Sequence, residues 1–421
     1  MPDSLSDWLT HIERLHAQPV ALGLERVAEV RRALGTVQSI PLITVGGTNG
    51  KGSTCAMIER ILLAAGYRTG LYTSPHLLAY NERVRLAGRP ADDATLCAAF
   101  ARVEAARGGT ALTFFEFGTL AAWEVFRASA VDVAILEVGL GGRLDAVNAY
   151  EPDCAAVTTI DIDHAEYLGT SRESIGFEKA GIFRSGKPAI VGDRNAPRSL
   201  ASHASAIGAD LWLHGRDFGY ERDPLQWLFW SRGGRKGGLA YPALRGTVQL
   251  ANASTALAVL ESLKDRLPVS MQDVRRGLLE VELAGRFQVL PGRPAIVLDV
   301  GHNPQAAAVL ADNLGSMAFH PTTWAVFGML RDKDIDRVVE HMQGRVDAWL
   351  VAGLEGPRGA SAEALAAVLI RHGETVAATC DSPADAYRSA RARAAEDDRI
   401  VAFGSFLTVA DVMRAIAAEK R

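Results

Sequence analysis

Short apolar runs recur along the chain, each closed by a glycine-rich or polar turn and followed by apolar positions three and four residues apart. Residues 40–45, 68–73, 132–137, 154–160 and 188–191 read as buried strands, and residues 55–65, 115–129 and 171–183 as helices. This alternation, from residue 40 to about residue 213, predicts a mostly parallel sheet covered by helices. The texture changes at residues 227–241, where an aromatic stretch runs into a Gly-, Arg- and Lys-rich one, and an antiparallel hairpin at a sheet edge is expected. Helices are expected at 249–263 and 271–281. Residues 283–290 read as a joint, because a second alternation starts beyond them. Its strands are 294–300, 323–327, 348–352, 375–378 and 399–403, and its helices 305–314, 335–342, 362–371, 383–394 and 408–418.

The chain's 421 residues exceed what one domain usually holds, and 48% hydrophobic residues suffice for compact cores. A net charge of only −4 gives no reason to expect a nucleic-acid or membrane partner, although local basic patches can still receive anionic substrates. Cys55, Cys97, Cys154 and Cys380 are far apart and lack metal or redox spacing, which suits buried thiols in a reducing cytoplasm. Residues 1–16 are polar and amphipathic without an apolar leader core, and no apolar run approaches the roughly 20 residues needed to span a membrane. A cytoplasmic monomer is expected.

The segment after the first strand carries the strongest chemical signal. Gly47, Thr48, Asn49, Gly50, Lys51, Gly52, Ser53 and Thr54 join that strand to a helix. Glycines let backbone N–H groups turn around phosphate oxygens, the helix N-terminus adds partial positive charge, and Lys51 adds a full one. Ser53 or Thr54 can offer a hydroxyl to Mg²⁺. The common phosphate loop has glycine where Val45 stands and has no residue between its lysine and its hydroxyl, where this chain has Gly52. A glycine-rich turn that binds nothing is the bland alternative, but strand, lysine, hydroxyls and helix fall in the order a nucleoside triphosphate requires. The expected fold is therefore α/β, with a P-loop-type nucleotide-binding domain over residues 1–284 and a smaller Rossmann-like α/β domain over residues 285–421.

Other candidates sit at further strand ends. Glu137 closes a buried strand and runs into Gly139, Gly141 and Gly142, where a carboxylate can hold Mg²⁺ against a triphosphate or simply cap a neighbouring helix. His164 follows Asp161 and Asp163 beyond the next strand; a lone histidine is often structural, but this acidic strand-end company favours function. Ser74 ends a third strand, where turn chemistry explains it equally well. Lys179 has apolar neighbours at helical spacing. An ordinary lysine reaching solvent is the simpler reading of its sequence; a carbamate made with CO₂ would convert it into an anionic oxygen ligand. In the second domain, Asn303 suits a helix cap and Pro304 the first helical position. Capping leaves Asp299 and His302 unexplained, so they are expected at a crevice with ribose and phosphate respectively. Arg286, at the joint, is placed to reach phosphates, and Asn252 to contact the nucleotide from a helix start.

Taken together these segments resemble the folylpolyglutamate synthase/dihydrofolate synthase family of Mur-type ligases over nearly the whole chain. The resemblance rests on residues 47–53, 73–77, 81–85, 113–117, 137–145, 163–164 with 168–169, 178–182, 285–287 and 299–303, in the family's order. It implies that Ser53, Ser74, Glu137, His164 and a carbamylated Lys179 serve Mg²⁺, one or two ions. Asn252, Arg286 and Asp299 would hold ATP beside the loop. Thr113, Phe114, Phe115 and Glu116, Leu144, Asp145 and Ala146, and Val20, Ala21 and Leu22 would line the pteroate site. Gly301 stands where many family members have alanine, and no role is implied for the basic stretch at Arg232 to Lys236.

The implied substrates are dihydropteroate, tetrahydrofolate or its polyglutamates, L-glutamate and ATP. The implied reaction phosphorylates a carboxylate to an acyl phosphate, which the glutamate amine attacks; Lys51 and Mg²⁺ neutralise the moving charge and His302 positions phosphate or amine. Two rivals remain. A peptidoglycan-precursor ligase would need an additional N-terminal domain, for which the roughly 39 residues before the first strand are too few. A nucleotide switch protein would leave Glu137, His164 and Lys179 without a purpose.

Overall fold

The computed structural model describes residues 2–18 and 20–419, so the first residue of the polar N-terminal stretch and the last two of the second expected domain lie outside the described residues. The chain divides into two compact units, residues 1–243 with 250–281, and residues 244–249 with 282–421.

The first unit opens with helices α1 (Leu5–Glu13) and α2 (Glu25–Ala33). Ser4 and Asp7 form a capping box on α1, which buries Trp8 and Ile12. Then come β1 (Leu42–Gly46), α3 (Lys51–Ala64), β2 (Thr69–Tyr72), the short strands β3 (Val84–Leu86) and β4 (Arg89–Pro90), α4 (Asp93–Arg107), α5 (Phe114–Ala128) and β5 (Val133–Glu137). The chain continues through β6 (Cys154–Val157), α6 (Ala165–Leu168), α7 (Arg172–Ala180), β7 (Pro188–Val191), α8 (Arg198–Ile207) and β8 (Asp210–Leu213). Together the strands make one sheet in the order β4-β3-β2-β5-β1-β6-β7-β8. Six of them, from β2 to β8, run parallel, while β3 and β4 are antiparallel additions at one edge. Every residue of β1 and of β5 is buried, as expected of strands covered on both faces.

The connections place the site. The chain leaves β1 for β2 by passing over the slot that β5 fills, and leaves β5 for β6 by passing over β1. The carboxyl ends of β2, β5, β1 and β6 therefore lie side by side at a topological switch point, where open α/β sheets bind ligands.

The expected hairpin exists, as β10 (Trp227–Ser231) paired antiparallel with β11 (Gly234–Leu239). It does not join the edge of the large sheet. With β9 (Phe218–Arg222) it forms its own three-stranded sheet, where the indole of Trp230 lies over Gly219. Helices α9 (Gln249–Ser262) and α10 (Met271–Glu280) complete the unit, and Gly277 of α10 packs against the backbone of Ile61 in α3.

The second unit is a six-stranded sheet in the order β12-β13-β17-β14-β15-β16. It is built from β12 (Gln288–Leu290), β13 (Ala295–Asp299), α11 (Pro304–Gly315), β14 (Thr323–Phe327), α12 (Ile335–Met342), β15 (Ala348–Ala352), α13 (Ala362–Arg371), β16 (Val376–Cys380), α14 (Pro383–Arg393), β17 (Arg399–Phe403) and α15 (Phe406–Glu419). Only β12 is antiparallel, an edge strand that sequence reading did not separate from the joint. Asn303 caps α11 with Pro304 at its first position, as the sequence predicts. The expected α/β class holds for both units. No helix among the described residues is long and apolar enough to cross a membrane.

Candidate active site

Val45, the residue before the glycine-rich turn, pairs in register with Glu137 of β5 on one side and Ala156 of β6 on the other. Gly47 sits at φ +141 and Gly50 at φ +86, a backbone that a side chain would strain. A Cβ on Gly47 would collide with the Thr158 hydroxyl, and one on Gly50 would lie 2.5 Å from Asn252 Oδ1. Asn252, on the first turn of α9, is thus packed on the loop. Thr48 N–H donates to the Thr159 carbonyl (2.6 Å), and the Thr158 hydroxyl donates to the Asn49 carbonyl (2.6 Å), so β6 fixes the turn. Gly52, Ser53 and Thr54 form the first turn of α3, where Thr54 Oγ1 is buried without a hydrogen-bond partner.

Two lysines converge on one carbonyl. Lys51 Nζ donates to the carbonyls of Gly47 and Thr48, each at 3.2 Å, and Lys179 Nζ donates to that of Gly47 at 3.0 Å. Lys179, in the last turn of α7, is only 4% exposed. Burial first, and the neighbouring Lys51 charge second, bring its pKa down to about 7. The solvent-reaching lysine, the simpler reading of the sequence, is therefore not what the fold builds.

Glu137 is buried at the end of β5. Tyr72 of β2 pairs with Leu136, so Ser74, two residues beyond Tyr72, follows the strand end beside it. His164 lies beyond β6 in the left-handed conformation (φ +52) as the residue that starts α6, and its N–H donates to Asp163 Oδ1 at 2.8 Å. Among the described residues no three His, Cys, Asp or Glu side chains gather closely enough to hold a metal ion by themselves. The candidate donors, a carboxylate, hydroxyls, one imidazole and a lysine able to become a carbamate, suit a hard cation that takes further oxygens from bound phosphates.

The three segments expected at the pteroate site are tied together. Thr113 caps α5, its hydroxyl accepting from Glu116 N–H (3.2 Å) while Glu116 Oε2 accepts from Thr113 N–H (2.7 Å). Arg26 grips the same carboxylate, Nη2 to Oε1 at 2.8 Å and Nε to both oxygens, and donates to the Ala21 carbonyl at 2.6 Å. Gly23 N–H donates to the Leu144 carbonyl at 3.3 Å. Asp145 accepts from the N–H groups of Leu140 and Val147; burial outweighs these bonds and lifts its pKa to about 6. Val20, Ala21, Leu22, Phe114, Phe115 and Leu144 are half-buried, and Ala146 is buried. Phe115 packs against Tyr72 with ring centroids 5.7 Å apart, and Phe114 lies under the Arg83 guanidinium at 5.4 Å.

In the second unit, antiparallel pairing of Gln288 with Leu298 carries Arg286 and Phe287 past the end of β13. Asp299 Oδ2 accepts from Phe287 N–H (2.8 Å) and Oδ1 from Gly301 N–H (2.7 Å). Burial raises its carboxyl pKa, while these bonds and Arg286 oppose the rise. A Cβ on Gly301 would lie 2.8 Å from Asp299 Oδ1, so alanine there requires a small displacement. His302 Nδ1 donates to the Val300 carbonyl at 2.9 Å, which fixes its tautomer. Phe406, which the sequence did not single out, stands between two of the candidates: its ring lies 5.0 Å from the Arg286 guanidinium and 6.3 Å from the His302 ring. The basic hairpin has a plain explanation. Arg232 pairs with Asp210 and Asp217, Arg235 with Glu221, and Lys236 with Glu261.

Residues 45–223 match the Mur ligase middle domain, and residues 285–406 the Mur ligase glutamate ligase domain. The dihydrofolate synthase/folylpolyglutamate synthase of Escherichia coli K12 is 45% identical over 417 residues, covering 99% of this chain and 96% of that protein. The structure of E. coli FolC in complex with DHPP and ADP superposes with a TM-score of 0.95 at 44% identity, covering 100% of both chains. That of a bifunctional folylpolyglutamate synthase/dihydrofolate synthase with Mn, AMPPNP and L-glutamate bound gives a TM-score of 0.91 at 45% identity over 99% of this chain and 98% of that one. The chain belongs to the dihydrofolate synthase/folylpolyglutamate synthase family of Mur ligases.

Proposed function

We propose that the chain is an ATP-dependent ligase that joins L-glutamate to dihydropteroate and to reduced folates, releasing ADP and phosphate. The observation that carries this reading is the convergence of Lys51 and Lys179 on the Gly47 carbonyl, beside a strand end that carries Glu137. Relatives of the same length and fold bind ADP, DHPP, Mn with AMPPNP, and L-glutamate, which supports the same nucleotide, metal and amino acid here.

Residues 47–54 and Asn252 cradle the ATP phosphates, and Arg286 and Asp299 are further nucleotide-binding residues. Ser53, Ser74, Glu137, His164 and carbamylated Lys179 would hold Mg²⁺, which when bound neutralises charge on the transferred phosphoryl group. A carboxylate is a poor electrophile, so the acceptor attacks the γ-phosphorus and becomes an acyl phosphate, with ADP leaving. The glutamate amine then attacks the acyl carbon, and phosphate leaves as the amide forms. Lys51 stabilises the charge that develops on the phosphoryl oxygens. His302, whose Nδ1 donates to the Val300 carbonyl, positions phosphate or amine. The enzyme acts in the cytoplasm as a monomer.

Mass spectrometry of products tests the reading, with dihydropteroate and tetrahydrofolate offered separately with ATP and glutamate. Each acceptor is expected to gain one glutamyl residue per ATP consumed. ATP hydrolysis without an amide product from either acceptor would defeat it.

A further inference from the structure

We infer that Arg26 is a positioning residue of the acceptor site: it clamps the loop at residues 20–23 to the N-terminus of α5, and so sets acceptor affinity without touching the phosphoryl-transfer machinery. This rests on the assignment of residues 20–22, 113–116 and 144–146 to the pteroate site.

The geometry is that of a clamp. Arg26 stands in the first turn of α2 and addresses two targets at once, the Glu116 carboxylate and the Ala21 carbonyl. Glu116 belongs to the capping box at the start of α5, beside Phe114 and Phe115, which are assigned to the acceptor site. The loop at residues 20–23 has no strand or helix of its own. Among the described residues, the Arg26 bond to Ala21 and the Gly23 bond to Leu144 tether it, and each joins it to another of the three acceptor segments.

The pair is also one that affinity can feel. The Glu116 side chain is 4% exposed and that of Arg26 28%. A planar guanidinium can serve a carboxylate and a carbonyl simultaneously; an ammonium keeps the charge but cannot hold both in that fixed geometry. Losing the fork frees the loop, and the acceptor must then order it on binding, which raises KM for the acceptor while leaving the bound state competent. Complete removal of the charge would strand a buried carboxylate and destabilise the fold.

Steady-state kinetics of Arg26→Lys therefore form the test, with Arg26→Gln, whose amide can still donate to the Glu116 carboxylate, as a second variant and circular dichroism guarding against misfolding. Expected in both is a rise of roughly tenfold or more in KM for dihydropteroate and tetrahydrofolate. In Arg26→Lys, KM for ATP should stay within about twofold and kcat within about threefold of wild type. Unchanged acceptor KM in the folded variants overturns the inference. So does an equal rise in KM for ATP, which would mean general loosening. Wild-type protein that ligates neither acceptor would instead defeat the functional reading, and the inference with it.

Discussion

Lys179 Nζ donates to the Gly47 carbonyl at 3.0 Å across 132 residues of sequence, and Lys51 Nζ donates to the same oxygen. Two like charges around one carbonyl are unfavourable in a buried place, and the cheaper partner to neutralise is the more buried one. Burial first, and the Lys51 charge second, bring the Lys179 pKa down to about 7.

A neutral amine is the form that attacks CO₂. With its pKa brought down to about 7, Lys179 holds far more of that form near neutrality than an ordinary lysine does. Protein equilibrated with ¹³C-bicarbonate is therefore expected to show a carbamate ¹³C resonance that is absent from Lys179→Ala. The signal should grow as pH rises through about 7 and fade below it. The unmodified lysine works on stability in the same direction: its folded pKa lies below the unfolded value, so its contribution rises with pH above about 7. A wild-type spectrum identical to that of Lys179→Ala, or full activity in that variant, would rule the carbamate out.

Lys51→Ala and Glu137→Ala should each reduce ligation by about 10²-fold or more. Glu137 ends β5 and Lys51 opens the helix that follows β1, the neighbouring strand, Val45 being in register with Glu137. Circular dichroism should show the fold retained. A well-folded variant of either with near-wild-type turnover would remove it from the site.

The local structure of the candidate site was largely legible before folding, and the physical reason is locality. The cradle at residues 47–54 is one strand, one turn and one helix start, so its chemistry is written in consecutive residues; Glu137 ends an apolar run for the same reason. Arg26 was not legible as a clamp, because its partner Glu116 lies 90 residues away and only the packing of α2 on α5 brings them together. Phe406 was missed likewise: the parallel register of Asp299 with Phe403 carries it to Arg286. Helix α4 was missed for a different reason. Its buried positions Leu96, Phe100 and Val103 are interspersed with alanines, which blur the contrast between its faces.

Phe406→Ala should weaken nucleotide binding through Arg286. The ring supports the guanidinium from 5.0 Å, a contact worth about 0.5–2 kcal/mol. Calorimetric titration with a non-hydrolysable ATP analogue should show a several-fold loss in Phe406→Ala and a larger one in Arg286→Ala. Undiminished affinity in both would take Arg286 out of the nucleotide site.

Gly142→Ala probes the Lys179 position from a distance. A Cβ there would meet the Glu178 carbonyl at 2.8 Å and Lys179 Cα at 3.0 Å, both of them backbone atoms that cannot rotate away. The end of α7 must then shift, carrying Lys179 with it. Ligation is expected to fall by about tenfold or more, with stability lowered by about 1–3 kcal/mol. Wild-type rates would show that Lys179 needs no such exact placement.

The last prediction concerns the two acceptors. Both present a carboxylate for phosphorylation, but in dihydropteroate it is the benzoate carboxyl, and in tetrahydrofolate a glutamate carboxyl farther from the pterin. The proposed function puts the reacting position beside residues 47–54 and Glu137, at the carboxyl ends of β1 and β5, so the pterin must take two placements relative to it. Phe115 packs on Tyr72 and lies against Gly139, where a Cβ would approach its ring to 2.6 Å, whereas Phe114 packs against Tyr80 and Arg83. One protein should therefore make dihydrofolate from dihydropteroate and also extend tetrahydrofolate, with each acceptor inhibiting the other competitively, since both need the same carboxylate position. Truncating Phe114 or Phe115 to alanine should shift the ratio of the two activities, because a ring that serves one pterin placement need not serve the other equally. Purified protein that extends tetrahydrofolate and makes no dihydrofolate would refute the double activity while leaving the ligase assignment standing. Non-competitive inhibition between the acceptors would refute the shared carboxylate position instead.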